Sequence, residues 1–228
     1  HERHLSADLG LALALDVQSQ LRPDLRLLLM SATLDGARLA AWLDAPRISS
    51  AGRSYPVSVA HFPARREESE QAQLLRCDEA LAKHEGDVLA FLPGRREIDG
   101  AERALAARLD GVASARVLTL HGELPLEKQS EALAPDVEGR RRVVLATNVA
   151  ESSVTLPGVR VVIDSGLARE PRYDPNSGFS RLETVSISQA SADQRAGRAG
   201  RVAAGAAWRL WPQSQRLEAA RTPEIAQV

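Results

Sequence analysis

The sequence predicts an α/β protein with a doubly wound, mostly parallel sheet and one protruding β-hairpin. Two observations predict the sheet: short β-rich apolar runs recur along the chain, and segments of helical periodicity separate them. A third observation predicts the hairpin, because residues 166–187 interrupt this alternation with two polar β-like arms around the turn residues 174–178.

The N-terminal elements come first. Residues 9–21 are apolar at helical spacing and predict a helix, and residues 35–43 predict another. Between them, the apolar run 25–30 follows the break at 22–24 and predicts a buried parallel strand. Residues 49–56 are the candidate linker, since this segment begins with small polar residues.

Beyond the linker the alternation of strands and helices starts again. The predicted strands are 57–62, 87–92, 116–120, 142–147, 159–164 and 206–210, and the predicted helices are 67–84, 96–109 and 126–133. We therefore divide the chain into residues 1–48, a linker 49–56 and a larger domain 57–228. Arg140, Arg141 and Arg142 are interpreted as a solvated turn before a strand.

Composition sets limits on function. A chain of 228 residues with 44% hydrophobic residues can bury a full core, and its net charge of -1 gives no global attraction to nucleic acid or membrane. A nucleic-acid site must therefore be a local patch. Cys77 is the only cysteine, which excludes an intramolecular disulfide and predicts a reducing, cytoplasmic compartment. No apolar run approaches the roughly 20 residues of a transmembrane helix.

The most informative segment is 194–201, QRAGRAGR. In a helix, Gln194, Arg198 and Arg201 fall at i, i+4 and i+7 on one face, where guanidinium groups suit a polyphosphate. Gly197 and Gly200 each cost roughly 1 kcal/mol in a helix, which predicts a need for close backbone approach. A solvated helix end would account for a single arginine but not for this arrangement. Arg195 points elsewhere and is interpreted as structural.

A second polar segment, 147–155, follows a predicted strand as TNVAESSVT. Hydroxyls and free amides at a helix N-terminus suit phosphate oxygens, whereas a capping box would account for one hydroxyl only. The tripeptide 31–33, SAT, also follows a predicted strand, and an N-cap is its simpler interpretation. Residues 91–94 and 121–122 lie at further strand ends. A strand-to-helix turn explains 91–94 equally well, and a single histidine at a strand end, such as His121, is more often structural.

The hairpin carries basic residues and one aromatic residue, which are Arg169, Arg172, Tyr173 and Arg181. Such a set can stack on bases or wedge between them. Solvated charges on an edge are the alternative, and composition does not decide between the two.

Together, these segments resemble the motifs of superfamily 2 helicases in the DEAH/RHA group: 194–201 motif VI, 147–155 motif V, 91–98 motif IV and 31–33 the SAT motif. The resemblance runs from His1 to about Ile225, and the DSG at 164–166 is most similar to the bacterial HrpB branch. It implies a RecA-like, P-loop NTPase-type lobe of an ATP-dependent RNA helicase.

The resemblance also implies roles at the nucleotide. Arg198 and Arg201 match the arginine fingers of the group, and Gln194 matches the residue that orients the attacking water. Ser153 would sense the terminal phosphate, Thr155 would lie near the ribose, and His1 would be the last residue of a DExH box. The SAT residues Ser31, Ala32 and Thr33 would couple nucleotide state to strand separation.

For nucleic acid, the resemblance implies contacts from Gly94, Arg95, His121, Gly122, Thr147, Asn148, Arg169 and Tyr173. The hairpin corresponds to the strand-separating hairpin of the group. Two positions depart from the pattern: Leu133 stands where some relatives place a base-stacking aromatic residue, and Pro157 stands where an acidic ribose contact can occur. Base selection by stacking is therefore not expected.

No Gly-Lys-Ser/Thr loop is present, because neither Lys83 nor Lys128 follows a glycine. Residues 1–48 would then be the end of a first RecA-like lobe, and residues 57–228 the complete second lobe. The missing part of the first lobe would hold ATP and Mg²⁺, so the fragment alone is expected to be inactive, and no metal site is expected in it. The expected protein is a monomer that binds RNA and docks on its own first lobe and a winged-helix region.

Two other functions stay open at this point. One is a non-catalytic RecA-like module that binds nucleic acid or protein. The other is a DNA translocase lobe, because superfamily 2 motifs do not encode the sugar.

Overall fold

The computed structural model describes residues 5–30, 36–49, 55–63, 76–109, 115–152, 154–174 and 178–219. The described residues up to 49 belong to one compact unit, and those from 55 to 218 belong to another. The predicted division at 49–56 stays a prediction. In the described part of the chain, no helix is both long and apolar enough to cross a membrane.

The first unit contains helices α1 (Leu5–Gln20) and α2 (Gly36–Leu43), as predicted. The predicted buried strand at 25–30 is wrong, because this run is not a strand and Leu28 and Met30 are 79% and 81% exposed. A parallel strand requires neighbouring strands for its hydrogen bonds and layers on both faces for its burial. Among the described residues, no strand pairs with this run.

The second unit is built on six parallel strands in the order β1-β8-β5-β2-β4-β3. These strands are β1 (Val57–His61), β2 (Asp87–Phe91), β3 (Ala115–Leu120), β4 (Arg141–Ala146), β5 (Val159–Asp164) and β8 (Gly205–Arg209). Each predicted strand of this unit is confirmed to within one residue at each end. The doubly wound α/β fold is therefore confirmed.

Helices cover both faces of this sheet. They are α3 (Arg76–Lys83), α4 (Arg95–Leu109), α5 (Leu126–Leu133), α6 (Val149–Ser152) and α7 (Gln189–Gly197), the last continued by a 3₁₀ helix at Arg198–Gly200. The predicted helix 67–84 is described only from residue 76. Side chains of β2 alternate between the faces: Val88 and Ala90 pack with α3 and α4, whereas Leu89 and Phe91 pack with α5, α6 and α7.

Cys77 lies in the apolar layer on α3 and is fully buried. Burial raises the pKa of its thiol to about 12, so the thiol stays protonated and unreactive at neutral pH. Its side chain acts as a small apolar group in the core.

The hairpin is also confirmed. Strands β6 (Leu167–Asp174) and β7 (Phe179–Ser186) pair antiparallel as a separate two-stranded sheet. Most of β7 is exposed, whereas Ala168 and Ile187 at the hairpin base are buried against Ala192 of α7 and Trp211. The base therefore rests on α7, and the outer part projects into solvent.

The prediction that residues 140–142 form a solvated turn is wrong for two of the three arginines. Arg142 is 2% exposed and forms an ion pair with Asp87 at 2.6 Å. The guanidinium of Arg141 donates to the carbonyls of Gly86, Leu81 and His84 at 2.6–2.7 Å. Both arginines lie at the start of β4 and donate hydrogen bonds to carbonyl and carboxylate oxygens at the amino end of the sheet. These partners cannot be inferred from the charge of the arginines alone.

Candidate functional site

The predicted site residues after β2, β3 and β4 meet at the carboxyl edge of the sheet. These three strands are neighbours, and their ends are joined directly: the amide of Leu92 donates to the carbonyl of Ala146 at 2.8 Å, and that of Thr147 donates to the carbonyl of Leu120 at 3.2 Å. Ligands of doubly wound sheets bind at this edge. The structure therefore brings segments 92–95, 121–122 and 147–148 together.

After β4 the chain turns directly into α6. The carbonyls of Thr147 and Asn148 accept from the amides of Ala150 and Glu151 at 3.1 and 2.9 Å. Thr147 is half-buried, whereas Asn148 and Thr155 are exposed and open to a ligand. Between these polar residues, Glu151 is buried.

Glu151 belongs to a buried ionic cluster around Arg195. The guanidinium of Arg195 is 1% exposed and contacts the carboxylates of Glu151 at 2.9 Å and Asp164 at 2.8 Å. Burial raises the pKa of Asp164, against the opposing effect of Arg195, because desolvation disfavours the carboxylate. Arg195 is thus neutralised inside the fold, in agreement with its interpretation as structural.

Arg198 has different partners from Arg195, although it is also buried. Its Nε donates to the carbonyl of Glu151 at 2.9 Å, and its terminal nitrogens donate to the carbonyls of Glu151 and Val154. Burial and the neighbouring charge of Arg201 lower the pKa of Arg198 to about 10. Among the described residues, neither Arg198 nor Arg201 has a carboxylate at ion-pair distance.

The segment is helical as predicted, with a local change in geometry towards its C-terminal end. The α-helix carrying Gln194 ends at Gly197, and the 3₁₀ helix from Arg198 keeps residues three apart aligned, so Arg201 follows Arg198 on the same side. The Oε1 atom of Gln194 is buried and has no hydrogen-bond partner among the described residues. An unsatisfied buried acceptor of this kind costs free energy unless a ligand or water donates to it.

The two glycines of this segment have different surroundings. A Cβ atom at Gly200 would lie 2.6 Å from the carbonyl oxygen of Tyr55 and 2.7 Å from Cγ2 of Val57, so close packing requires glycine there. Among the described residues, a Cβ atom at Gly197 would meet nothing within 4 Å. The predicted close approach is therefore confirmed within this chain for Gly200 alone.

The turn after β2 adjoins the hairpin through Arg169. A Cβ atom at Gly94 would lie 2.9 Å from Cδ and Nε of Arg169, whose guanidinium pairs with Glu97 at 3.2 Å. Arg169, predicted to contact nucleic acid, is thus engaged with α4 and is 37% exposed. Arg95 is exposed and pairs with Glu123 at 3.0 Å.

His121 and Gly122 stand at the end of β3. His121 is 7% exposed, and its Nδ1 atom has no hydrogen-bond partner among the described residues, whereas Gly122 is exposed. Leu133, the position that departs from the resemblance by lacking an aromatic ring, is the last residue of α5 and packs against the apolar layer that includes Ala132 and Ala150.

Five predicted site residues, His1, Ser31, Ala32, Thr33 and Ser153, lie outside the described residues, as does the side chain of Tyr173. Among the residues that are described, no group of three His, Cys, Asp or Glu side chains is placed to hold a metal ion. Sequence reasoning did not anticipate Glu151 as the partner of Arg195 and Arg198. The available signal was a single acidic residue among the neutral residues of the segment 147–155.

Comparison with known proteins identifies the family of this fold. Residues 70–203 match the family described as "Helicase conserved C-terminal domain". The chain belongs to this family. It is 45% identical over 231 residues to the ATP-dependent RNA helicase HrpB of Escherichia coli (strain K12), and 40% identical over 242 residues to the ATP-dependent RNA helicase DEAH11, chloroplastic, of Arabidopsis thaliana. Each alignment covers 100% of this chain.

The chain also matches a solved structure. It superposes on the crystal structure of the Escherichia coli DEAH/RHA helicase HrpB with a TM-score of 0.91 and 44% identity, covering 99% of this chain and 29% of that one. The resemblance to the DEAH/RHA group and the RecA-like fold are thereby confirmed. The chain spans 28% of the length of HrpB and 13% of that of DEAH11.

Proposed function

We propose that this chain is the C-terminal lobe of an ATP-dependent RNA helicase and supplies Arg198 and Arg201 to the γ-phosphate of ATP. One observation carries the proposal: these two neighbouring cations have no carboxylate partner among the described residues, whereas Arg195 on the same helix has two. An unneutralised pair of guanidinium groups fits an anion of high charge.

The other residues of this helix and of the segment after β4 fit the same ligand. The Oε1 atom of Gln194, which has no hydrogen-bond partner among the described residues, can accept a hydrogen bond from an attacking water. Thr155, in the segment after β4, is exposed. Ser153 would sense the terminal phosphate. Fingers of the kind assigned to Arg198 and Arg201 are worth about 10³–10⁵-fold in rate.

ATP and Mg²⁺ would be held mainly by the first RecA-like lobe of the full-length protein. Mg²⁺ would supply charge neutralisation of the phosphates when bound. His1 would link the DExH box to this lobe, and Ser31, Ala32 and Thr33 would couple the nucleotide to strand separation. The proposal includes a cytoplasmic monomer in which this lobe docks on the first lobe and a winged-helix region.

RNA would run along the carboxyl edge of the sheet. Three adjoining turns offer amides and polar side chains to a phosphate backbone, and their proposed contact residues are Gly94, Arg95, His121, Gly122, Thr147 and Asn148. The Nδ1 atom of buried His121, which has no partner in the described part of the chain, is an additional polar group at this edge. Tyr173 and Arg169 on the hairpin would meet the duplex where its strands separate.

The test is the RNA-stimulated ATPase activity of the full-length protein and its Arg198→Ala variant. Hydrolysis is expected to fall by about 10³-fold or more, with single-stranded RNA binding retained. Arg140→Ala, which removes a half-buried arginine paired with Asp136, is the control and should hydrolyse ATP normally.

Three outcomes would contradict parts of the proposal. Near-normal turnover by Arg198→Ala overturns the finger assignment. Absence of any ATPase activity in the wild-type full-length protein favours a binding module. Equal stimulation by DNA and RNA of the same sequence favours a nucleic-acid translocase without RNA preference.

A further inference from the structure

Arg195 connects four separate segments of the lobe. Its guanidinium contacts Glu151 after β4, Asp164 at the end of β5, and the carbonyl of Leu167 at the start of the hairpin at 3.2 Å. It also lies 4.7 Å from the ring centre of Phe91 at the end of β2. The helix that carries Arg195 also carries Gln194 and leads into Arg198, so the proposed nucleotide residues share one rigid element with it.

The hairpin base is fixed to the same cluster. The carboxylate of Asp164, the partner of Arg195, also accepts a hydrogen bond from the amide of Gly166 at 2.9 Å. Gly166 has a φ of +75°, and a Cβ atom there would lie 2.8 Å from Trp211, so the backbone direction into the hairpin is tightly constrained. Trp211 in turn packs with Ala168 at the hairpin base and with α7.

We propose that Arg195 is a positioning residue that couples the nucleotide-facing helix α7 to the hairpin. A displacement of α7 on nucleotide binding or release is passed through the guanidinium to Asp164 and Leu167, and so to the hairpin base. The planar fork of arginine holds these acceptors in one fixed geometry, which a lysine ammonium does not reproduce. This proposal rests on the proposed helicase function and adds a route from ATP to strand separation.

The competing explanation is that Arg195 only stabilises the fold. Arg142 provides a matched comparison, because it is also buried, with 2% exposure, and pairs with a carboxylate, that of Asp87. Its cluster lies at the opposite, amino edge of the sheet, away from the hairpin and α7. A purely structural role predicts similar consequences for the conservative variants Arg195→Lys and Arg142→Lys.

The experiment compares both lysine variants with wild type in the full-length protein. RNA-stimulated ATP hydrolysis and duplex separation are measured in parallel, below the melting temperature of each variant. Arg195→Lys is expected to hydrolyse ATP at a rate near that of wild type, while base pairs separated per ATP fall about tenfold. Arg142→Lys is expected to keep the wild-type ratio even where its melting temperature drops.

A second variant covers failure of Arg195→Lys to fold. Asp164→Asn keeps the side-chain shape and an acceptor for Gly166 but removes the charge that Arg195 holds, and it should lower the same ratio. Coupling through Arg195 is overturned if both activities fall in proportion, or if the ratio is unchanged in the variant that folds. Failure of the proposed function looks different, since the wild-type protein would then show no RNA-stimulated hydrolysis.

Discussion

The main-chain carbonyl of Glu151 accepts hydrogen bonds from the guanidinium of Arg198, at 2.9 Å from Nε. The carboxylate of the same residue is held by Arg195. Glu151 is therefore bound to two arginines of the segment 194–201, to Arg198 through its carbonyl and to Arg195 through its carboxylate. The segments 147–155 and 194–201 are consequently connected through Glu151, so a change in either segment is expected to affect the other.

This relationship predicts different stability effects for the two proposed fingers. Arg198→Ala leaves the carbonyls of Glu151 and Val154 without their donor, so the free energy of unfolding should fall by about 1–3 kcal/mol. Arg201→Ala removes an exposed side chain and should leave stability nearly unchanged. Urea denaturation followed by circular dichroism measures both. Equal losses for the two variants would contradict the assignment of Arg198 as a residue that also holds the segment after β4.

The two glycines of motif VI are expected to respond to alanine in opposite directions. Gly197 has helical dihedrals and open space around its Cα, so Gly197→Ala should raise the free energy of unfolding by about 0.5–1 kcal/mol. Gly200→Ala places a Cβ atom against Tyr55 and Val57 and should lower it by about 1–3 kcal/mol. Differential scanning calorimetry of both variants gives the signs directly.

The Gly197 result also bears on function. Since no neighbour in the described chain requires glycine there, the requirement for it would come from the bound nucleotide or the first lobe. Gly197→Ala should therefore reduce the ATPase activity of the full-length protein although it is more stable. A stable variant with full activity would show that the glycine has no such role.

The central strands β2, β4 and β5 were predictable because they are buried on both faces of the sheet. Within the predicted strands 87–92 and 159–164, the stretches 88–92 and 161–163 are apolar throughout and are followed by polar or turn residues. This pattern can be recognised without knowledge of the partner strand. The same pattern at 25–30 led to a wrong prediction, because strand formation depends on neighbouring strands that a local run does not contain. A run of apolar residues indicates that the segment prefers to be buried, whereas strand pairing depends on other segments of the fold.

The candidate site was predictable in position but not in its pairings. The polar segments were found because they follow apolar strands, and parallel strands bring their carboxyl ends to one edge. The roles of Arg142, Arg195 and Arg198 could not be separated by residue type, since all three are buried arginines. The carboxylate partner lies 31 residues away in the pair Arg195–Asp164 and 55 residues away in the pair Arg142–Asp87. Helix position separated Arg195 from Arg198 in the sequence, but only the fold identifies the carboxylates that pair with Arg195 and Arg142.

The ion pair at the amino edge predicts a large effect of one core charge. Arg142→Ala leaves the buried carboxylate of Asp87 without its cation, which is expected to lower the free energy of unfolding by about 3–5 kcal/mol. Arg140→Ala, at the neighbouring half-buried position, should cost much less. Chemical denaturation of the two variants is the measurement. Similar losses of stability at both positions would contradict the buried ion pair of Arg142 and favour the solvated turn predicted from the sequence.

The turn before β4 predicts a specific acid dependence. Arg140, through its side chain, lowers the pKa of Asp136 from its ordinary value of 3.8 to about 2, and the amides of Arg140 and Glu138 act in the same direction. A depressed carboxyl pKa contributes stability that is fully present above about pH 4 and is lost as the pH falls through about 2. Asp136→Asn should therefore destabilise the protein at pH 6 but make little difference at pH 2.

Carbon-13 NMR of the Asp136 carboxyl group and urea titrations across this pH range test the assignment together. Arg140→Ala serves as the companion variant, because it removes the largest cause of the shift and should raise the pKa of Asp136 toward its ordinary value. An Asp136 pKa that does not move in that variant would mean that the two amides of the turn, rather than the guanidinium, hold the carboxylate. In that case the acid dependence would persist in Arg140→Ala and disappear only in Asp136→Asn.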